Sequence, residues 1–267
     1  MKKNGRPVGD LLREWRQRRR MSQLDLALEA NISTRHLSFV ETGRSFPSRD
    51  MLLHLADRLA VPLRERNLLL LAAGYAPVYA ERRLDDPALA PARRAVDLLL
   101  AGHEPYPALA VDRHWTLVAA NAAVPLLLAG IDAALLEPPT NVLRLSLHPA
   151  GLAPRIANYR EWRAHILERL RHQIEATADP ELIRLAAELE GYPAPDGAGT
   201  AAGGEDYGGV LVPLRLATPG GVLSFFSTTT VFGTPMDVTL SELALESFFP
   251  ADQATADAMR DLVGLAA

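Results

Sequence analysis

The chain has 267 residues, 48% hydrophobic and 22% charged, which is room for two domains with buried apolar cores. It has no cysteine, so disulfides and thiolate metal sites are excluded. The charged N-terminus lacks an apolar h-region, and the longest apolar runs, such as residues 68–73, are far too short to span a bilayer; neither a signal peptide nor membrane insertion is expected, and the protein reads as cytoplasmic. The net charge of −4 hides an asymmetry, because residues 1–75 carry 14 Lys and Arg against 8 Asp and Glu, and the remainder 14 against 24. A basic head on an acidic body suits a nucleic-acid-binding module joined to a separate sensor.

Residues 9–20 predict a first helix with Leu12, Trp15 and Arg16 on one face by i, i+3, i+4 spacing. Arg13, Arg18, Arg19 and Arg20 are then either phosphate contacts or a solvated charge run. Ser22 is placed to cap a helix over 23–30 and Ser33 another over 34–42. Asn31 between them tolerates the left-handed backbone of a tight turn, Ala27 lets the second helix approach, and Gly43 stops it. Leu26, Ile32, Leu37 and Val40 would seal the pair. These dimensions are those of a helix–turn–helix whose second helix enters the major groove of a double-stranded DNA operator. Gln23 at the first helix's start faces a phosphate, while Ser33, Thr34, Arg35, His36, Ser38 and Phe39 come from the second. Arg35 is the foremost base reader, since Arg can take a guanine bidentately; Phe39 serves either packing or a thymine methyl. Arg44 follows in the loop, placed for a backbone or minor-groove contact. Residues 9–74 resemble the xenobiotic-response-element (Cro/CI-repressor-like) family through Gln23, Leu26-Ala27, Leu37-Ser38, Val40-Glu41, Gly43 and Pro47-Ser48. The resemblance implies a five-helix, lambda-repressor-like head in which Arg16 and Glu41 form a structural ion pair. Ser48 caps a helix over 50–60, and Pro62 opens one over 63–73 that ends at Gly74. Its apolar 68–71 run is expected to pack on a dimer mate or on the second domain.

Residues 76–91 read as a linker rich in Pro, Ala and charge, dividing a head (1–75) from a second domain (92–267). A short helix over 93–100 precedes two strand-length runs, 107–112 and 115–119, turned at Arg113-His114. Residues 121–129 read as helical, 155–176 as one long helix, and a further helix runs from Asp179-Pro180 to about 190. The loop 191–206 contains Gly197, Gly199 and Gly203, but without a strand before or a helix after it is not a dinucleotide turn. Strands over 210–217 and 222–232 turn at Pro219-Gly220-Gly221, a third is expected over 238–249, and a helix over 254–265. That order suggests an α+β layer, a small antiparallel sheet with helices over one face, similar to a PAS-like sensor.

Residues 107–121, 141–171 and 209–256 resemble the MmyB-like regulators, in which a repressor-like head precedes a PAS-like ligand-binding domain and fatty-acid binding is known. Tyr159 stands where many members have Trp, and the 191–206 loop has no match. No catalytic motif is present, so no enzyme is expected, and no cofactor. His165 and His172 share a face at i, i+7 but lack a third ligand, so no metal site is expected. A pocket for a fatty-acid-like amphiphile is expected from Arg155, Asn158 and Trp162 on one face of the long helix, with Asn121 a second polar pole. The alternatives are that Asn121 caps its helix and Trp162 is core. Only one of Phe225 and Phe226 can face such a pocket. Two readings follow: a ligand-responsive, homodimeric, nucleoid-associated transcription regulator, or a DNA-bound protein whose second domain docks a protein partner and holds no small molecule.

Overall fold

The computed structural model describes residues 6–195 and 211–264. The glycines at 197, 199 and 203, and the start of the strand expected at 210, lie outside the described residues. The chain divides into two compact units. One comprises the chain up to Arg82 with Glu175–Thr177 and Pro235–Ser241; the other comprises the rest from Arg83 onward.

The first unit contains the five helices of the head: α1 (Val8–Arg18), α2 (Gln23–Glu29), α3 (Thr34–Glu41), α4 (Arg49–Arg58) and α5 (Leu63–Ala72). Ser22, Ser33 and Ser48 each accept a backbone amide three residues on, at 3.1 to 3.2 Å, satisfying orphan donors where α2, α3 and α4 begin. Asn31 has φ 52° in the α2–α3 turn and Gly43 has φ 73° just past α3, so both tight reversals use residues that tolerate the left-handed region. Leu12, Leu26, Leu37, Val40, Leu52, Leu55 and Leu59 are buried together with Trp15. Gly9 is needed for a different reason. A Cβ there would lie 2.5 Å from the carbonyl oxygens of Val40 and Glu41, so α1 can cross the end of α3 only at a residue without a side chain.

The second unit opens with a 3-10 turn (Pro87–Leu89) and α6 (Ala90–Ala101), then a hairpin of β1 (Ala108–Val111) and β2 (Leu117–Ala120). Helices α7 (Ala123–Leu127), α8 (Ala133–Leu136), α9 (Val142–Leu147), α10 (Tyr159–Thr177) and α11 (Pro180–Glu190) intervene before β3 (Leu214–Thr218) and β4 (Gly221–Val231). The short α12 (Val238–Ser241) belongs to the first unit, and β5 (Ala244–Pro250) and α13 (Gln253–Gly264) then complete the second. The five strands form one antiparallel sheet in the order β2-β1-β5-β4-β3. The fold is thus a five-helix helix–turn–helix region followed by an α+β domain with a curled antiparallel sheet, as expected.

Several element boundaries differ from the sequence reading. Residues 238–249 are not one strand: the Asp237 carboxylate accepts the Thr239 amide at 2.9 Å, starting the α12 turn, and only Ala244–Pro250 joins the sheet. The long helix begins at Tyr159, not 155; Pro154 lies in a separate 3-10 turn (Ala153–Arg155), which moves Arg155 off the helix. Helices α8 and α9 were not anticipated, although Asn141 caps α9 by accepting the Leu143 and Arg144 amides at 3.1 Å. Nor do helices cover one face only. Ala108, Ala110 and Leu245 pack with Val96 and Leu100 of α6, while Leu214 and Leu216 pack with Trp162, Ile166 and Leu170 of α10. Strand alternation makes both faces apolar here, so both must be covered.

Candidate functional site

In the head, α3 presents two sides. Leu37, Val40 and Glu41 are buried, Arg35 is exposed, and Thr34, His36, Ser38 and Phe39 are half-buried. The Phe39 ring has two guanidiniums near it, Arg35 at 5.3 Å and Arg44 at 5.9 Å from its centroid. Cation–π attraction of this kind holds both cations on one patch without neutralising them. Phe39 therefore packs, but against the basic side chains rather than in the core. The Ser33 hydroxyl is engaged as the cap of α3.

The inward side is held by charge. Arg16 donates from Nε to Glu41 Oε1 at 2.7 Å and from Nη2 to Oε2 at 2.8 Å, a bidentate pair in which the Glu41 side chain is 0% exposed. The Gln23 amide donates to the same carboxylate at 2.7 Å, so it points into the head rather than outward to a phosphate. Burial pushes the Glu41 carboxyl up, but hydrogen bonds from Arg16 and Gln23 and the charges of Arg16 and Arg13 outweigh it and hold the group below its ordinary value. Of the four arginines considered for phosphate, Arg19 instead donates to the carbonyls of Leu59 and Ala60 at 2.8 and 3.0 Å, and Arg18 pairs with Glu14.

In the second unit, a cavity of about 110 Å³ lies between the sheet and the helices α7, α9 and α10. Its walls are almost wholly apolar, and include Leu109, Leu117, Leu145, Trp162, Ile166 and Phe225. Phe225 faces it, while Phe226 stacks on Phe249 at 5.4 Å outside the lining. Of the four residues expected to bind ligand, only Trp162 lines the cavity, its indole N–H donating to Ser146 Oγ at 2.9 Å. The other three are committed elsewhere. Asn121 accepts the Ala108 amide at 3.1 Å and donates to the carbonyls of Leu100 and Tyr106 at 3.2 and 2.8 Å. Asn158 accepts the Arg215 amide and donates to Pro213 O at 2.8 Å. Arg155 donates to the carbonyls of Leu127, Ala129 and Ala217 at 2.9 to 3.3 Å. The two asparagines satisfy buried backbone groups that would otherwise lack partners, whereas Arg155 ties together half-buried and exposed carbonyls.

The polar pole of the cavity comes instead from residues the sequence reading did not single out. Arg169 of α10 donates to Glu246 of β5 at 2.8 and 3.2 Å and to Thr229 Oγ1 at 3.0 Å, and its guanidinium sits 4.9 Å over the Trp115 ring. The Trp115 indole N–H donates to Gln173 Oε1 at 2.8 Å. Trp115 has φ 67°, a left-handed backbone rarely adopted by a bulky residue, held because Asp112 accepts the amides of His114 and Thr116 on either side. One signal could have revealed Arg169: Trp162, Ile166 and Arg169 recur at i, i+4, i+7 on one face of α10. His165, half-buried against Trp162, is pushed below its ordinary pKa by burial and by the Arg169 charge.

Comparison with known proteins matches residues 7–69 to a helix-turn-helix domain family and residues 92–262 to the family described as MmyB-like transcription regulator ligand binding domain. Neither is a family of enzymes. No curated protein matches. A solved structure titled "Structure of an RNA-binding Light-Oxygen-Voltage Receptor" is similar at 16% identity and a TM-score of 0.25, over 96% of this chain; the chain spans 62% of that one. No helix among the described residues is long and apolar enough to cross a membrane. With a DNA-binding helix-turn-helix domain and a ligand-binding domain whose family model covers most of its length, the chain belongs to the MmyB-like transcription regulators.

Proposed function

We propose that this regulator recognises a two-fold operator sequence-specifically as a homodimer, and that its C-terminal cavity takes the tail of a small amphiphile, a fatty acid or a close chemical relative. Ligand binding then shifts the population of DNA-competent states. The observation that carries the ligand reading is the cavity itself: apolar walls broken by the Arg169–Glu246 pair and by Ser146 and Ser227 suit an acyl chain with a hydrogen-bonding end. The base-reading assignment rests on exposed Arg35 with Thr34 and Ser38, and on Arg44 held beside it by Phe39. Leu68 and Leu71 are 48% and 54% exposed on α5, an apolar face that supports a homodimer contact.

Mass spectrometry of a solvent extract from freshly purified protein tests the ligand reading. A lipid recovered at one equivalent, lost from Trp162→Ala, supports it. No bound lipid, and no thermal shift with a panel of acyl-chain compounds, would favour a second domain that docks a protein partner instead.

A further inference from the structure

Three side chains, Trp115, Arg169 and Glu246, line both the apolar cavity and a second, polar cleft on their far side. The cleft, of about 310 Å³ and more open to solvent, is lined also by Asp112, Arg113, His172, Gln173, Thr229 and Glu242. The three shared residues are thus the partition between an oily chamber and a wet one. A ligand with its tail in the first has its head at the partition.

The charge at that partition is already balanced. Arg169 meets Glu246 through two hydrogen bonds, and Thr229 Oγ1 accepts from Arg169 at 3.0 Å while donating to Glu246 at 2.7 Å. The Glu246 side chain is only 4% exposed, on the central strand β5 between Leu109 of β1 and Thr229 of β4. An ionised ligand carboxylate at Arg169 would either displace Glu246 or share the one guanidinium with it, and in both cases a carboxylate is left at this buried spot without a cation of its own, which is unfavourable. The cleft beyond offers no surplus of positive charge. Its carboxylates are Asp112, Glu242 and Glu246, its guanidiniums Arg113 and Arg169. Arg113 itself lies 3.3 Å from Asp179 and 3.8 Å from Glu242.

Building on the ligand reading above, we infer that the head group this domain accepts is uncharged: an alcohol, an ester or amide carbonyl, or an acid that keeps its proton. Such a head takes a hydrogen bond at the partition without breaking the Arg169–Glu246 pair. Glu246 is then the residue that sets selectivity against anions. It acts by holding Arg169 neutralised.

Calorimetric titration of the full chain with 1-decanol, methyl decanoate and sodium decanoate at neutral pH tests this. The alcohol and the ester should bind, and decanoate should bind at least about tenfold more weakly, a modest demand for an anion that puts a second carboxylate on one partly buried guanidinium. Glu246→Gln, which frees the guanidinium while keeping the side chain's shape, should reverse that order. The comparison in the native chain stands whether or not this variant folds. Decanoate binding as tightly as the alcohol to the native chain overturns the inference and leaves the ligand reading intact. Failure of all three compounds to bind, with no lipid in the extract, overturns both.

Discussion

Removing the Glu41 carboxylate should unfold the head rather than retune its sequence preference. In the structure this group accepts three charged or amide hydrogen bonds at 2.7 to 2.8 Å, from Arg16 twice and from Gln23. Glu41→Ala strands Arg16, whose side chain is only 10% exposed, and losing one partner of a buried pair costs about 3–5 kcal/mol. For a domain of the head's size, 1 kcal/mol shifts the melting temperature by roughly 4–8 °C, so a loss of roughly 12 °C or more is expected. Hydrogen exchange on the full chain is the assay, because it reports α1, α2 and α3 separately from the second unit. Those helices should lose protection while the sheet keeps it. The double replacement Arg16→Met, Glu41→Leu should recover much of the loss, since it strands no charge and avoids the desolvation of two ions. Intact protection in Glu41→Ala, with altered operator preference instead, would refute the reasoning. The pair also predicts a pH dependence. Glu41 titrates below its unfolded value when folded, so its contribution is complete above the ordinary carboxylate range and disappears as pH falls through the depressed folded value. Acid should therefore release the head's protection.

Gly9→Ala should lower the melting temperature by the equivalent of about 1–3 kcal/mol, because its Cβ meets two carbonyl oxygens at 2.5 Å; an unchanged melting curve would mean that α1 and α3 can part freely. Asn121→Ala should destabilise the second unit by about 1–3 kcal/mol through unpaired buried carbonyls, and Arg155→Ala by about 0.5–1.5 kcal/mol because water can reach its acceptors, with ligand affinity in the folded fraction unchanged for both. A selective loss of ligand at normal stability would return either residue to the binding site. Arg35→Ala should cost about 1–3 kcal/mol of operator affinity and relax one position of the site, read by titrating a library of operator variants; uniform weakening would assign it to phosphate.

The head was legible in its sequence because its signals are local. Serine caps, the turn at Asn31, the stop at Gly43 and the i, i+3, i+4 faces each act over a few residues. Arg16 was legible on the inward face of its helix, while its pairing with Glu41, 25 residues away, came from the family resemblance. In the second domain most of the strands and longer helices were readable in the same way, though not the short α8, α9 and α12, and Trp162 was correctly set on an inward face. Polar residues beside apolar ones were not interpretable alone, however. Asn121, Asn158 and Arg155 look like a pole only until the backbone carbonyls and amides they satisfy are located, 13 to 62 residues distant. The actual pole joins Arg169 to a glutamate 77 residues away, with Trp115 brought in from the β1–β2 turn. Pairing across that separation is decided by sheet order and by how α10 lies on the sheet, and no window of sequence carries either. Periodicity determined which faces of the elements are buried; only the folded chain determined which buried polar groups still had a free direction toward the cavity.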